Sequence, residues 1–149
     1  MKVICMKISE FVTGVANPYF TSHINYSYVS ACFLKSSIEF AVKNKVFPLF
    51  YEGCMKLGIH LPKEAELLAG TYEKRRRMQL EAIYLLLDLS DKHGIELMFF
   101  KTFKPFNYIP DDIDILLRDK KDLHFLVDKL KEKGYFILKI GTPEVVLRK

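Results

Sequence analysis

The sequence predicts an α+β protein in which a helical region is followed by a smaller region that contains strands. Apolar residues recur at helical spacing between about residues 28 and 93, and the period becomes that of strands after Gly94. Prolines lie where first helical turns would begin. We therefore divide the chain into a helical region, 1–93, and a strand-containing core, 94–149. Half of the 149 residues are hydrophobic, so we expect one compact unit with a buried core.

Prolines and glycines mark the limits of the predicted helices. One helix is expected over residues 28–44. Pro48 lies near the start of a second helix, which ends around Gly58. Pro62 begins a third, in which Gly70 is a weak point or a boundary.

The last and longest helix of the first region is predicted over residues 71–93. Its apolar face follows the i, i+3, i+4, i+7 pattern, and Gly94 supplies a left-handed C-cap. The residues of this face are Leu80, Ile83, Tyr84 and Leu87. Three further leucines, Leu85, Leu86 and Leu89, widen the face, which predicts contacts on two sides of the helix.

The second region is predicted to run strand, loop, strand, helix, strand, strand in a small mixed sheet. These elements cover residues 95–100, 101–110, 112–117, 119–134, 135–140 and 144–147. The first strand is apolar throughout most of its length, which is typical of a strand covered on both faces. Asp119 is the expected N-cap of the helix and Gly134 its end. The apolar face of that helix consists of Leu123, Leu126, Val127 and Leu130.

The amino-acid composition argues against several classes of protein. The three cysteines, Cys5, Cys32 and Cys54, are far apart and have no Cys-x-x-Cys spacing, which argues against a disulfide framework or a zinc site. Charged residues interrupt every apolar stretch, so neither a signal peptide nor a membrane span is expected. We predict a cytoplasmic protein without a membrane partner. Its net charge of +5 suits an anionic ligand.

Asp112 and Asp114 carry the chemical signal of the sequence. Side chains alternate along a strand, so the two carboxylates are expected on one face, with their Cα atoms roughly 7 Å apart. Two like charges beside apolar residues need a cation, and Mg²⁺ prefers carboxylate oxygens together with substrate phosphates. The pair therefore predicts Mg²⁺ and a nucleoside triphosphate. The alternative is a sheet edge whose acidic face lies in water, and Asp111 is interpreted as a turn residue after Pro110.

The stretch from Phe40 to Ile137 resembles the uncharacterised nucleotidyltransferase family of the polymerase-β superfamily. In that family a helical lead-in precedes a strand ending in Leu-Lys-Gly, a loop, and an Asp-Ile-Asp-Leu-Leu-Val strand. Phe100-Lys101-Thr102 matches the first motif, and residues 112–117, Asp-Ile-Asp-Ile-Leu-Leu, match the second. Residues 122–135 match the helix that ends in Gly-Tyr.

This resemblance implies Mg²⁺-dependent transfer of a nucleoside monophosphate from an NTP to a hydroxyl group. Asp112 and Asp114 would be the catalytic residues and metal ligands, and Lys101 and Thr102 would bind the phosphates. The nucleotide is the expected partner. The resemblance leaves two classes of acceptor, a protein or an RNA. It also allows the protein to form a homo-oligomer.

Two departures from the family pattern leave an inactive domain as an alternative. Thr102 occupies the position of the family's glycine. A glycine there lets the backbone approach the triphosphate closely, because it has no side chain. The third carboxylate of active members is also missing, because Glu144 is the only acid after Glu132. Three explanations are open. The sequence is a portion of a longer protein, a partner supplies the third carboxylate, or the domain does not catalyse a reaction. A non-catalytic domain would be a nucleotide-binding or protein-interaction module, as in a toxin–antitoxin-like pair.

A second alternative is a nucleic-acid-binding helical protein. The run Lys74-Arg75-Arg76-Arg77 is the densest cluster of positive charge in the chain and would attract a phosphate backbone. Such a run is also typical of the solvated face of a helix, and no aromatic residues are interleaved with it.

Overall fold

The computed structural model describes residues 7–17, 29–100, 108–140 and 145–148. Within these residues the chain is mixed α+β and mostly helical, as predicted. The helices are α1 Ile8–Ala16, α2 Ala31–Lys43, α3 Phe47–Lys56, α4 Lys63–His93 and α5 Lys120–Glu132. The strands are β1 Leu97–Phe100, β2 Asp114–Leu117, β3 Phe136–Ile140 and β4 Val145–Arg148. In the described part of the chain no helix is long and apolar enough to cross a bilayer.

The chain divides into two compact units. Unit 1 consists of Met1–Leu80 and Thr102–Asp112, and unit 2 of Glu81–Lys101 and Ile113–Lys149. The boundary between the units therefore falls within α4. Each unit has its own cluster of buried apolar side chains.

Helix α1 provides much of the core of unit 1. Ile8, Phe11, Val12 and Val15 follow the i, i+3, i+4, i+7 pattern, and Phe11 and Val12 are each only 1% exposed. The Phe11 ring makes edge-to-face contacts with Phe33 and Phe50, at centroid distances of 5.3 and 5.8 Å. This helix was not predicted as an element, although its apolar spacing meets the helical pattern.

The predicted helices after α1 are confirmed, with one correction. Pro48 lies in the first turn of α3, and α4 begins directly after Pro62. Gly70 is neither a boundary nor a break, because α4 continues through it. A single exposed glycine costs a helix only about 1 kcal/mol, and propagation through good helix formers on both sides offsets this cost.

Unit 2 contains two antiparallel strand pairs, β1 with β2 and β3 with β4. The predicted order of the four strands, with a helix between the second and the third, is confirmed, and the predicted loop over 101–110 lies mostly outside the described residues. The prediction of a mixed sheet is not confirmed, since the described strands pair only in antiparallel fashion. Helix α5 follows its prediction, with Asp119 at the N-cap position and Gly134 at a φ of +88°. The Asp119 side chain, however, makes no capping hydrogen bond.

Two burial predictions in unit 2 are wrong. Strand β1 was expected to be covered on both faces, yet Met98 and Phe100 are 57% and 45% exposed. On α4, Tyr84 and Leu87 are exposed, and the buried stripe consists of Ile83, Leu86 and Leu89. In both elements apolar residues occupy every side, so hydrophobicity alone does not select the face that packs.

Candidate functional site

The two predicted metal ligands lie on either side of the start of β2. Asp112 lies in a bend before the strand, and Asp114 is the first residue of the strand. Strand β2 thus begins two residues later than predicted, so strand alternation does not place the two carboxylates on one face. Both side chains are exposed, as expected for carboxylates that meet solvent or a soluble ligand. The predicted phosphate-binding residues, Lys101 and Thr102, lie outside the described residues, as does Glu144.

Asp114 lies on the exposed face of the β1–β2 hairpin. It pairs directly with Phe100, and Met98 pairs with Leu116 on the same face. Leu116 is 52% exposed. The opposite face, formed by Leu97, Phe99, Ile115 and Leu117, packs on buried residues of α4 and α5. A carboxylate therefore shares a solvent-facing surface with three large apolar side chains.

Asp111 is held by two cationic side chains of unit 1. Lys45, in the connection between α2 and α3, forms a hydrogen-bonded ion pair with the Asp111 carboxylate. Arg75 of α4 donates from Nη2 to the Asp111 carbonyl oxygen at 2.5 Å and to its Oδ1 at 3.2 Å. The sequence interpretation of Asp111 as a turn residue missed these contacts, because the partners lie 36 and 66 positions away.

The preceding residues are anchored as well. Gln79, one helical turn after Arg75, donates from Nε2 to the Pro110 carbonyl oxygen at 2.8 Å. Ile109 is buried, with 8% of its surface exposed. Side chains at i and i+4 share one face of a helix, so Arg75 and Gln79 contact consecutive carbonyl groups, those of Asp111 and Pro110.

The electrostatics of this region follow from the ion pair. The hydrogen bond to Asp111 and the charge of its carboxylate raise the pKa of Lys45, and the charge of Asp112 adds a smaller increase. The hydrogen bond from Lys45 lowers the pKa of Asp111, as do the hydrogen bond and charge of Arg75. Lys45 therefore lies in the field of two carboxylates and stays protonated at neutral pH.

Most of the cations in the charge run Lys74 to Arg77 form ion pairs within the protein. Arg75 binds Asp111, while Arg76 and Arg77 each lie within 3.6 Å of a Glu73 carboxylate oxygen. Three of its four cations thus have an acidic partner. This agrees with the interpretation of the run as a solvated helix face.

Neither the arrangement of potential metal ligands nor the comparisons identify a known site. Among the described residues, no group of three or more His, Cys, Asp or Glu side chains is arranged to hold a metal ion. No family model, curated protein or solved structure that we compared with the chain matches it. The resemblance to nucleotidyltransferases stays a prediction from the sequence.

Proposed function

We propose that the chain is a nucleotidyltransferase-like protein that binds a nucleoside triphosphate with Mg²⁺ through Asp112 and Asp114. In the reaction, an acceptor hydroxyl attacks the α-phosphorus. The bond to the β-phosphate oxygen breaks, pyrophosphate leaves, and the hydroxyl proton passes to a base. Carboxylate-bound Mg²⁺ would stabilise the charge on the attacking and leaving oxygens.

One observation carries this proposal. Asp114 is exposed at the start of β2 and pairs directly with Phe100, and Lys101 is the next residue along the chain. The acidic strand and the strand that precedes the Lys101-Thr102 dipeptide are therefore antiparallel neighbours. This pairing is compatible with a carboxylate-bound metal next to phosphate-binding groups.

The test is a variant in which Asp112 and Asp114 are both changed to asparagine. We expect Mg²⁺-dependent NTP binding, measured by calorimetry, to be lost while the circular dichroism spectrum is retained. The control changes Asp88 and Asp91, two exposed residues of α4, to asparagine and so alters the net charge equally. Unchanged NTP binding in the Asp112/Asp114 variant would refute the metal assignment.

The exposed apolar face of the hairpin favours a second candidate, a non-catalytic nucleotide-binding or protein-interaction module. Met98, Phe100 and Leu116 present large side chains to solvent beside Asp114, as binding surfaces commonly do. Turnover separates the two candidates. NTP binding with pyrophosphate release supports the enzyme, and NTP binding without release, across acceptors that include RNA and protein hydroxyls, supports the module.

A further inference from the structure

The segment that leads into Asp112 is held by three side chains of unit 1. We call Lys45, Arg75 and Gln79, with their contacts to Pro110 and Asp111, the Asp111 clamp. Gln79 binds the Pro110 carbonyl oxygen and Arg75 binds that of Asp111. Lys45 and Arg75 both bind the Asp111 carboxylate. Two consecutive peptide groups and the side chain between them are thereby fixed.

The second of these peptide groups belongs in part to Asp112. The Asp111 carbonyl lies in the same planar unit as the Asp112 nitrogen, so the Arg75 contact of 2.5 Å fixes the plane from which Asp112 begins. The buried Ile109 side chain holds the segment from the other direction. The clamp thus defines where the Asp112 main chain lies within unit 1.

The backbone of Lys45 is unusual among the helix ends. The C-termini of α2, α3 and α5 share the Schellman pattern, in which the second residue after the C-cap donates to the carbonyl three residues inside the helix end. At the left-handed position α3 and α5 have Gly58 and Gly134, whereas α2 has Lys45 at a φ of +58°. A lysine in this conformation is less favourable than glycine. A glycine at this position would have no side chain to bind Asp111, whereas the Lys45 side chain does bind it.

The small energy expected of each contact indicates a positioning role rather than a contribution to the stability of the whole fold. The side chains of Lys45, Arg75 and Asp111 are 62%, 39% and 55% exposed. Exposed ion pairs contribute little to the stability of a fold. Several contacts converging on one short segment nevertheless restrict its local motion, because each removes freedom from the same few dihedral angles.

We infer that Lys45, Arg75 and Gln79 are positioning residues that hold Asp112 in place for metal binding. This inference rests on the proposed function, since Asp112 is a metal ligand only in that proposal. The three side chains are not themselves metal ligands. They act through the main chain of Pro110 and Asp111.

Two matched variants test the inference, Arg75→Met and Arg77→Met. Both remove one positive charge from the same helix, but only Arg75 contacts Asp111. Loss of a cation near carboxylates by itself strengthens metal binding. A positioning role predicts the opposite for Arg75→Met. We expect its affinity for Mn²⁺, which is the probe of the Mg²⁺ site because both ions take carboxylate ligands, to fall on the order of 10-fold, as when residues that orient metal ligands are changed. Arg77→Met should bind Mn²⁺ at least as tightly as the parent protein.

Backbone order parameters of Asp111 and Asp112, from ¹⁵N relaxation, give a readout that does not depend on metal. Without Mn²⁺, we expect lower order parameters there in Arg75→Met and unchanged order parameters in Arg77→Met. If the parent protein binds no Mn²⁺ but the order parameters still fall in Arg75→Met, the proposed function fails and the clamp's ordering of Asp112 stands. If the parent binds Mn²⁺ and Arg75→Met alters neither the affinity nor the order parameters, the positioning inference is overturned.

Discussion

Gly53 of α3 lies directly against the main chain of Val15 in α1. A β-carbon added at Gly53 would lie 2.0 Å from the Val15 carbonyl oxygen and 2.8 Å from its carbonyl carbon. No flexible side-chain end can move aside to relieve these two contacts, because both atoms belong to the backbone. The close approach of α1 and α3 therefore requires glycine at this position.

We expect Gly53→Ala to lower the free energy of unfolding by about 1–3 kcal/mol, the usual cost of overpacking a core. The substitution improves helix propensity, so a loss of stability reports the contact between the helices. Urea unfolding followed by circular dichroism measures the change.

Gly70 provides the matched control. It lies inside α4, is exposed, and has no atom within 4 Å of an added β-carbon. Gly70→Ala should raise the free energy of unfolding by about 0.5–1 kcal/mol, since only helix propensity changes. Equal effects of the two substitutions would contradict the packing of α1 on α3.

The elements with a single clear pattern were predictable from sequence. Helix α5 has one apolar stripe, an aspartate at its start and a glycine after its end, and these signals agree with one another. The order of the elements in unit 2 followed from the change of period at Gly94. Local signals of this kind act within about one helical turn or one strand pair.

The Asp111 clamp was not predictable in the same way. Its side chains come from the connection between α2 and α3 and from α4, far from Pro110 and Asp111 in sequence, and no local period links Lys45, Arg75 and Gln79. The face of the hairpin that carries Met98 was also missed. An apolar run without alternation is compatible with a strand covered on one face or on both, and tertiary packing decides between them.

The ion pair between Lys45 and Asp111 predicts a dependence of stability on pH. Lys45, with Arg75, holds the pKa of Asp111 below its ordinary value of 3.8. Because the pKa is lower in the folded protein, the stabilisation is present above the ordinary value and is lost as pH falls through the folded one. We expect Asp111→Asn to destabilise the protein only slightly at neutral pH, because the pair is exposed, and to have progressively less effect in acid.

Urea unfolding of the parent protein and Asp111→Asn across this pH range measures the difference. A Lys45→Met background supplies the control, because removing the first partner of Asp111 should shrink the pH-dependent part of the difference. A difference that is independent of pH, or that grows in acid, would show that the Asp111 carboxylate is not stabilised in its ionised form.

Cys32 and Cys54 should react very differently with iodoacetamide. Cys54 is fully buried in the core of unit 1, and burial raises the pKa of its thiol to about 12. Cys32 is exposed at the start of α2. Because the thiolate is the nucleophile, we expect native protein at mildly alkaline pH to be labelled at Cys32 and protected at Cys54.

Peptide mass spectrometry assigns each label to its cysteine and keeps Cys5, which lies outside the described residues, apart from the comparison. Both Cys32 and Cys54 should react in concentrated urea, where burial is lost. Rapid labelling of Cys54 in the native protein would show that the packing around α3 opens on the timescale of the reaction.

Ile115 and Leu116 are neighbours on β2 that face opposite ways, and threonine at each tests which face of the hairpin packs. Ile115 contacts the buried cluster formed with α4 and α5, whereas Leu116 is 52% exposed. Ile115→Thr should lower the free energy of unfolding by about 1–3 kcal/mol, because it replaces packed methyl groups with a hydroxyl. Leu116→Thr should change it by no more than about 0.5 kcal/mol. Threonine suits strands in both cases, so a larger cost at Leu116 than at Ile115 would mean that the face bearing Asp114 is the packed one.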